Sequence, residues 1–498
     1  MFAVQHFQKM IKRILLRLLL LLLVAAAYVL FRTFTTESKQ LKDQAALPAD
    51  IRSGSLERFS KSLQIRTVSP ENKADFDSIQ FETFNRFLED SYPLIDSLLE
   101  HQTFNEFSHL YSWKGTNSDL KPAILMGHLD VVPVIEENRK YWKENPFGGE
   151  VVRDTVWGRG AIDDKVSVIG LLEAVEWLLE KGFQPQRTYL IALGHDEEIG
   201  GLNGARVIAQ HLEQQGVEAE FVLDEGGSIT RKMIPGLESD AALIGIAEKG
   251  FATLYLSLEL EGGHSSMPEK ETTIDVMAGA ISRLKSKPMP AEISPPIASF
   301  IEYLGPEMPF VNRMAFANPW LFEPMIVSAY EASSTGNALV RTTTSPTIFN
   351  SGVKDNIIPL SAKATVNFRI LSESSVDEVI EHVKDVIDDD RIKIEQGAFN
   401  VDPSKVSDVN TSSFGGLHKT IAQAFPDAKV APYLVVGATD SRHFSGLTDQ
   451  IYRFSPIRIS PANVKSFHGL NERIAVSDFH ASIQFYMRLI RNTHEELK

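Results

Sequence analysis

The chain has no cysteine anywhere in its 498 residues. Disulfides, cysteine-ligated zinc and thiol nucleophiles are therefore excluded, and any metal must be held by His, Asp and Glu. An oxidising compartment permits disulfides without requiring them, so this absence leaves the location of the protein open. A basic surplus is lacking too. The formal charge of −15 speaks against nucleic acid or an anionic membrane surface as partner. No low-complexity tract or internal repeat interrupts an otherwise ordinary globular composition. The length leaves room for two or three domains.

Long apolar runs are scarce, with one exception at the N-terminus. Leu18–Phe31 is unbroken, and Ile14, Leu15 and Leu16 extend it backwards across Arg17. Lys9, Lys12 and Arg13 precede it. The stretch is near the minimum for a membrane-spanning helix if Arg17 snorkels to the interface. The basic flank would stay in the cytoplasm and the remainder would be exported. Ala25-Ala26-Ala27 resembles a signal-peptidase site, so a cleaved signal is the rival reading. Residues 1–32 are thus expected to be a membrane anchor or signal segment, and the polar stretch 33–50 a linker. The body is expected outside the cytoplasm, membrane-anchored in the first case and secreted or periplasmic in the second.

From Ala123 onward, buried apolar strands alternate with amphipathic helices. Strands are expected at Ala123–Met126, Thr188–Leu193 and Glu220–Leu223, and helices at Val166–Glu180 and Ala205–Gln214. This order predicts an α/β fold with a mostly parallel sheet, which binds ligands beyond the carboxyl ends of its strands. Near Gly250 the pattern changes to strand, helix, strand, strand, helix, strand, the order of a ferredoxin-like α+β unit. A Pro- and aromatic-rich insert, Pro288 to about Leu339, lies inside it. The expected organisation is a catalytic domain in two parts, 51–246 and 398–498, with a smaller domain inserted at 247–397.

Acids and histidines gather where the apolar strands end. Leu-Met-Gly-His128-Leu-Asp130 sets an imidazole and a carboxylate two residues apart, facing the same way on an extended chain. A carboxylate on one ring nitrogen would leave the other free for a metal. Alone, the pair also suits a strand-end histidine beside an incidental acid. Four further segments tip the balance: Gly-Arg-Gly-Ala-Ile-Asp163-Asp164-Lys165, Asp196-Glu197-Glu198-Ile-Gly-Gly, Asp224-Glu225-Gly-Gly, and His468-Gly-Leu-Asn-Glu472. Consecutive acids at buried strand ends are costly unless solvated, protonated or neutralised by metal.

With Gly-Gly-His264-Ser-Ser and Asn356-Ile-Ile-Pro added, seven ordered motifs across residues 55–495 resemble the di-zinc exopeptidases that include aminoacylase, glutamate carboxypeptidase and carboxypeptidase S. The membrane-anchored carboxypeptidase S branch, with its relatives acting on N-fatty-acyl amino acids, is the most similar in layout. The resemblance implies two zinc ions per chain. His128 would bind one, Asp163 would bridge both, and Glu198 with His468 would hold the other. The last ligand would be Glu225 or its neighbour Asp224. Glu197 would be the general base for a metal-bridged water, and Asp130 would orient His128. On the inserted domain, acting as a lid, His264 would meet the oxyanion, arriving in many relatives from a partner subunit, so a homodimer is possible. Asn356, Arg369 and Arg442 would contact the substrate, with either arginine forking onto a free carboxylate. The implied reaction cleaves the amide next to a free C-terminal amino acid, in a small peptide or an N-acyl amino acid. Phe310, Phe316, Trp320, Leu321 and Phe322 of the insert would line an acyl pocket or pack a core. Two rivals are a catalytically inactive binding relative and a phosphoesterase. The first is opposed by chemically competent residues at every assigned position, the second by the few basic residues in the motifs.

Overall fold

The computed structural model describes residues 2–41 and 50–497; part of the expected linker, residues 42–49, lies outside them. The central strands of the large sheet are apolar up to their last residues. β1 (Glu100–Phe104) and β2 (Ser108–Trp113) form an antiparallel edge. β3 (Ala123–His128), β4 (Tyr189–Gly194) and β5 (Phe221–Asp224) are buried at every residue, as strands covered on both faces must be. β6 (Ile229–Thr230) and β7 (Asp240–Glu248) follow. The sheet is completed from the far end of the chain by β12 (Ala428–Val435), β13 (Ile451–Arg453) and β14 (Arg458–Ile459).

Its order is β1-β2-β4-β3-β5-β13-β7-β6-β14, with β12 alongside β7. The central pairings β3–β4, β3–β5 and β5–β13 are parallel, and so are β7–β12 and β6–β14. Helix α2 (Lys165–Glu180) is buried on almost every side because α9 (Val476–Thr493) packs across its outer face. Helix α3 (Ala205–Gln214) covers the other side of the sheet through Ile208, Ala209 and Leu212. The fold is mixed α/β around a mostly parallel sheet.

β8 (Gly250–Glu259), β9 (Thr343–Ser351), β10 (Ser361–Ile370) and β11 (Lys393–Gln396) make a separate antiparallel sheet, in the order β9-β10-β8-β11. Two helices cover one face, α4 (Thr273–Ser286) and α8 (Val376–Ile387). Each begins at a reciprocal capping box, Thr272 with Asp275 and Ser375 with Glu378, which satisfies two orphan amides. Strand alternation puts Leu254, Leu256 and Leu258 of β8 into this core together with Val366 and Phe368 of β10.

The insert behaves differently from the unit expected to contain it. α5 (Pro295–Leu304), α6 (Phe310–Ala317) and α7 (Pro319–Glu331) send Ile297, Ile301, Leu304 and Ile326 into the large core, not the small one. Phe316 and Phe322 pack against that same core. Phe310, Trp320 and Leu321 are half-exposed, and none of the five insert side chains lines the main cleft. The N-terminal helix α1 (Phe2–Thr35) runs past the expected boundary at residue 32, and Gln40 hydrogen-bonds Val430 in both directions.

Leu304 is fully buried at the contact between insert and large sheet. Leu304→Ala is expected to cost about 2–5 kcal/mol, read as a lower urea midpoint, with the catalytic rate per folded molecule unchanged.

Candidate metal centre and active-site cleft

The parallel strands deliver their last residues to one place. β3 ends on His128, β4 leads into Glu197 and Glu198, and β5 runs into Asp224 and Glu225. Asp163 sits just before α2 and is joined to Asp164 by a cis peptide bond. His468 arrives from a loop near the C-terminus with a left-handed φ of 51°.

The geometry centres on the Asp163 carboxylate. Its Oδ1 lies 3.0 Å from His128 Nε2 and its Oδ2 lies 2.9 Å from His468 Nε2. Glu225 Oε1 is 3.6 Å from His128 Nε2, and Glu198 Oε2 is 3.2 Å from His468 Nε2. Two triads result, His128–Asp163–Glu225 and Asp163–Glu198–His468, each with its ligand atoms within 4.8 Å of one another. Asp163 belongs to both. Of the neighbouring acids, Glu225 faces His128, whereas Asp224 accepts a hydrogen bond from the Ser441 amide at 2.8 Å.

Electrostatics show what this arrangement lacks. Burial and the nearby Asp163 charge push Glu225 up to about 8. Burial raises Glu197 strongly, with Asp440, Glu225 and Glu198 adding to it, and it raises Glu198 as well. His468 is pushed up to about 10 by its bonds to Asp163 and Glu198. Burial disfavours a charged His128, yet its bonds to Asp130, Asp163 and Glu225 outweigh that and raise it. Without a cation, protons must hold these groups together. Two divalent ions seated between the imidazoles and carboxylates would do so instead, and the nitrogen and oxygen donor set suits zinc.

A supporting layer fixes these side chains. Asp130 Oδ1 lies 3.3 Å from His128 Nδ1. The same carboxylate accepts the amides of Glu197 and Glu198, both at 3.1 Å. One acid therefore orients His128 and clamps the Glu197–Glu198 turn. Glu472 does the same for Asp163. It is fully buried, accepts the amides of Ile162 at 2.8 Å and Asp163 at 3.2 Å, and pairs with Arg159 at 2.6 Å. Sequence reasoning assigned Glu472 no role; its signal was an acid four residues after His468 together with an arginine before Asp163. Lys165, also unassigned, donates to Ser62 O and Ile65 O at 2.9 and 2.7 Å.

A cleft of about 950 Å³ opens over this centre. Its wall is lined by Glu197, Glu198 and His468 and by Lys249, Arg369 and Arg442, together with Phe251 and Phe399; Arg442 donates to Gly200 O at 3.0 Å. Arg369 lies over the Phe251 ring at 4.8 Å and Arg442 over Phe399 at 5.5 Å. Burial and the charge of Arg442 lower the pKa of Arg369, and burial lowers Lys249 to about 7. Among the described residues none of the three cations forms a salt bridge, so this wall is prepared for an anion. His264 and Asn356 are elsewhere. They occupy an exposed two-strand ribbon, Gly263–His264 against Ile357–Ile358, where Ser265 N donates to Asn356 O at 3.2 Å. Within the single chain this ribbon forms no part of the cleft wall.

Comparison with known proteins agrees with this geometry. The model of Peptidase family M20/M25/M40 matches residues 124–492. The chain is 40% identical to probable carboxypeptidase S-like 2 of Dictyostelium discoideum, over 89% of this chain and 85% of that protein. It is also 40% identical to the human N-fatty-acyl-amino acid synthase/hydrolase, over 88% of this chain and 87% of that protein. Among solved structures, an M20 family metallo-carboxypeptidase from Sulfolobus solfataricus superposes with a TM-score of 0.66 at 18% identity, covering 88% of this chain and 99% of that one. The fold, the histidine–carboxylate cluster and these matches lead to one conclusion: the chain is an enzyme of peptidase family M20/M25/M40.

Proposed function

We propose that the protein is a di-zinc hydrolase that cleaves the amide next to a free C-terminal amino acid, in a small peptide or an N-acyl amino acid. The observation that carries this reading is the Asp163 carboxylate shared by two histidine–acid triads, beside a cleft lined by Arg369, Arg442 and Lys249, none of which forms a salt bridge among the described residues. In this reading His128, Asp163 and Glu225 hold one ion, and Asp163, Glu198 and His468 the other. When bound, the ions supply Lewis acidity that polarises the amide carbonyl and lowers the pKa of water.

The chain's own residues do the rest. Arg369 and Arg442 fork onto the substrate carboxylate, and Lys249 adds charge at the same wall. This fixes the scissile amide over the acidic wall. Glu197 takes the proton of the attacking water and returns it to the leaving amine. Asp130 keeps the Glu197 backbone and the His128 ring in register through the bonds described above. His264 is a stabiliser of the developing oxyanion that reaches the cleft by closure of the small domain or from a second copy in a homodimer. The apolar run in α1 retains the body at a membrane, on its non-cytoplasmic side. An inactive binding relative is the alternative, and the complete set of ligands and base speaks against it.

Glu197→Gln is expected to lower kcat by about 10²–10⁴-fold while metal content, counted by mass spectrometry, stays at the wild-type value. Loss of metal instead would exchange the roles of Glu197 and Glu198. Arg442→Met and Arg369→Met each remove a charge-assisted contact of about 1.5–3 kcal/mol. Each is expected to raise KM more than it lowers kcat, with metal content intact. Glu225 and His468 hold protons at neutral pH in the metal-free protein, with pKa values of about 8 and about 10. Metal loading must displace those protons, so affinity is expected to rise with pH from 6 to 8. Calorimetry in buffers of different ionisation enthalpy reads the released protons directly. Amine release from a long-chain N-acyl amino acid and from a blocked dipeptide, each with and without chelator, tests the reaction itself. Chelator-sensitive release supports the reading and the faster substrate decides between acyl-amino-acid hydrolase and carboxypeptidase. No release from either contradicts it.

A further inference from the structure

The insert α5–α7 takes no part in the cleft, yet it is built around the end of α1. Asn318, fully buried, donates its amide to Val29 O at 3.2 Å and to Thr33 Oγ1 at 3.3 Å. Arg313 donates to Thr33 O at 2.9 Å and to Thr36 O at 3.0 Å, satisfying carbonyls that a helix end leaves without partners. Tyr28 meets Trp320 with ring centroids 6.0 Å apart, and Phe34 meets Phe310 at 5.9 Å. The last turns of α1 are therefore seated in the body.

This contact fixes depth. At ~1.5 Å per residue the run Leu18–Phe31 is roughly 21 Å long, short of the ~30 Å hydrocarbon core of a bilayer. Whether the span begins at Ile14 or at Leu18, it needs the turn from Tyr28 to Phe31 inside the membrane. That turn is the one Asn318 and Trp320 touch. Around the Tyr28–Trp320 and Phe34–Phe310 contacts, α6 and α7 carry further apolar side chains that are unburied: Val311 is 65% exposed, Trp320 54%, Met325 52% and Leu321 48%. A tryptophan and a tyrosine at the boundary are what a membrane interface favours.

We propose that this face of α6 and α7 beds in the bilayer leaflet on the body's side, next to α1, giving the body one fixed orientation on the membrane. The inference rests on reading α1 as a retained anchor. The occupant is the lipid acyl-chain boundary, reached by apolar contact, which is compatible with the chain's net negative charge.

The absence of native cysteine makes the test direct. Single variants Leu22→Cys, Leu321→Cys, Met325→Cys and Val353→Cys of the full chain carry a nitroxide in phosphatidylcholine vesicles. Collision rates with oxygen and with a water-soluble nickel chelate are then compared. Labels at 22, 321 and 325 are expected to be oxygen-accessible and nickel-shielded. The label at 353, on a residue 92% exposed in the small domain, is expected to show the reverse. Nickel access at 321 and 325 equal to that at 353 overturns the proposal. If position 22 is then still in lipid, the anchor reading survives alone; if it too is in water, both fall. Spin–spin broadening at 321 and 325 that disappears on dilution with unlabelled chain would mean a second copy covers the face, which also overturns it.

Discussion

A buried carboxylate with two imidazoles on its two oxygens is the constraint on which the rest of this molecule depends. Asp163 meets His128 with one oxygen and His468 with the other. Those histidines come from opposite ends of the chain, so the centre exists only if the first strands and the last loop meet. The parallel sheet achieves this by threading β13 between β5 and β7. Around the pair stand Glu198, Glu225 and Glu197, too many acids for a site without a cation. Folding thus concentrates negative charge at the carboxyl ends of the strands, where its histidine–carboxylate groups could hold divalent metal.

The acidic and the cationic residues that line the cleft come from different parts of the fold. The acidic wall belongs to the parallel sheet, where strand ends and helix starts converge. The cationic wall is composite: Lys249 stands between β7 and β8, Arg369 lies on β10 of the small sheet, and Arg442 comes from the loop after β12. Lys249 is further tied to Ala338 O and Arg341 O at 2.8 and 2.6 Å, where the insert rejoins the small sheet. This wall is therefore built from both domains.

Much of this was legible from residues alone. β3, β4 and β5 are continuous apolar runs, so their ends, and with them His128, Glu197 and Asp224–Glu225, were placed to within two residues. The helix Ala205–Gln214 has the expected bounds because an amphipathic period and flanking glycine-bearing turns mark its ends. What escaped depends on distance in sequence. Glu472 acts on residues 159–163 through the short antiparallel ribbon of Thr155–Trp157 with Arg473–Ala475, and nothing local announces that pairing. The insert was assigned to the small domain because it interrupts it in sequence, whereas its apolar faces fit the large core. Composition shows that a segment will pack, not against what. Thr33 to Gln40 read as linker because its contacts, to Arg313, Glu307 and Val430, lie hundreds of residues away.

The shared carboxylate is the most exposed point of this account. Metal content of the wild type and of Asp163→Asn, each dialysed against zinc and then freed of excess, tests it most directly. Two ions per wild-type chain, and the loss of both in the variant with its circular dichroism unchanged, is the expected result. One ion in the wild type, or a variant that keeps one at full affinity, would contradict a centre built on a single bridging side chain.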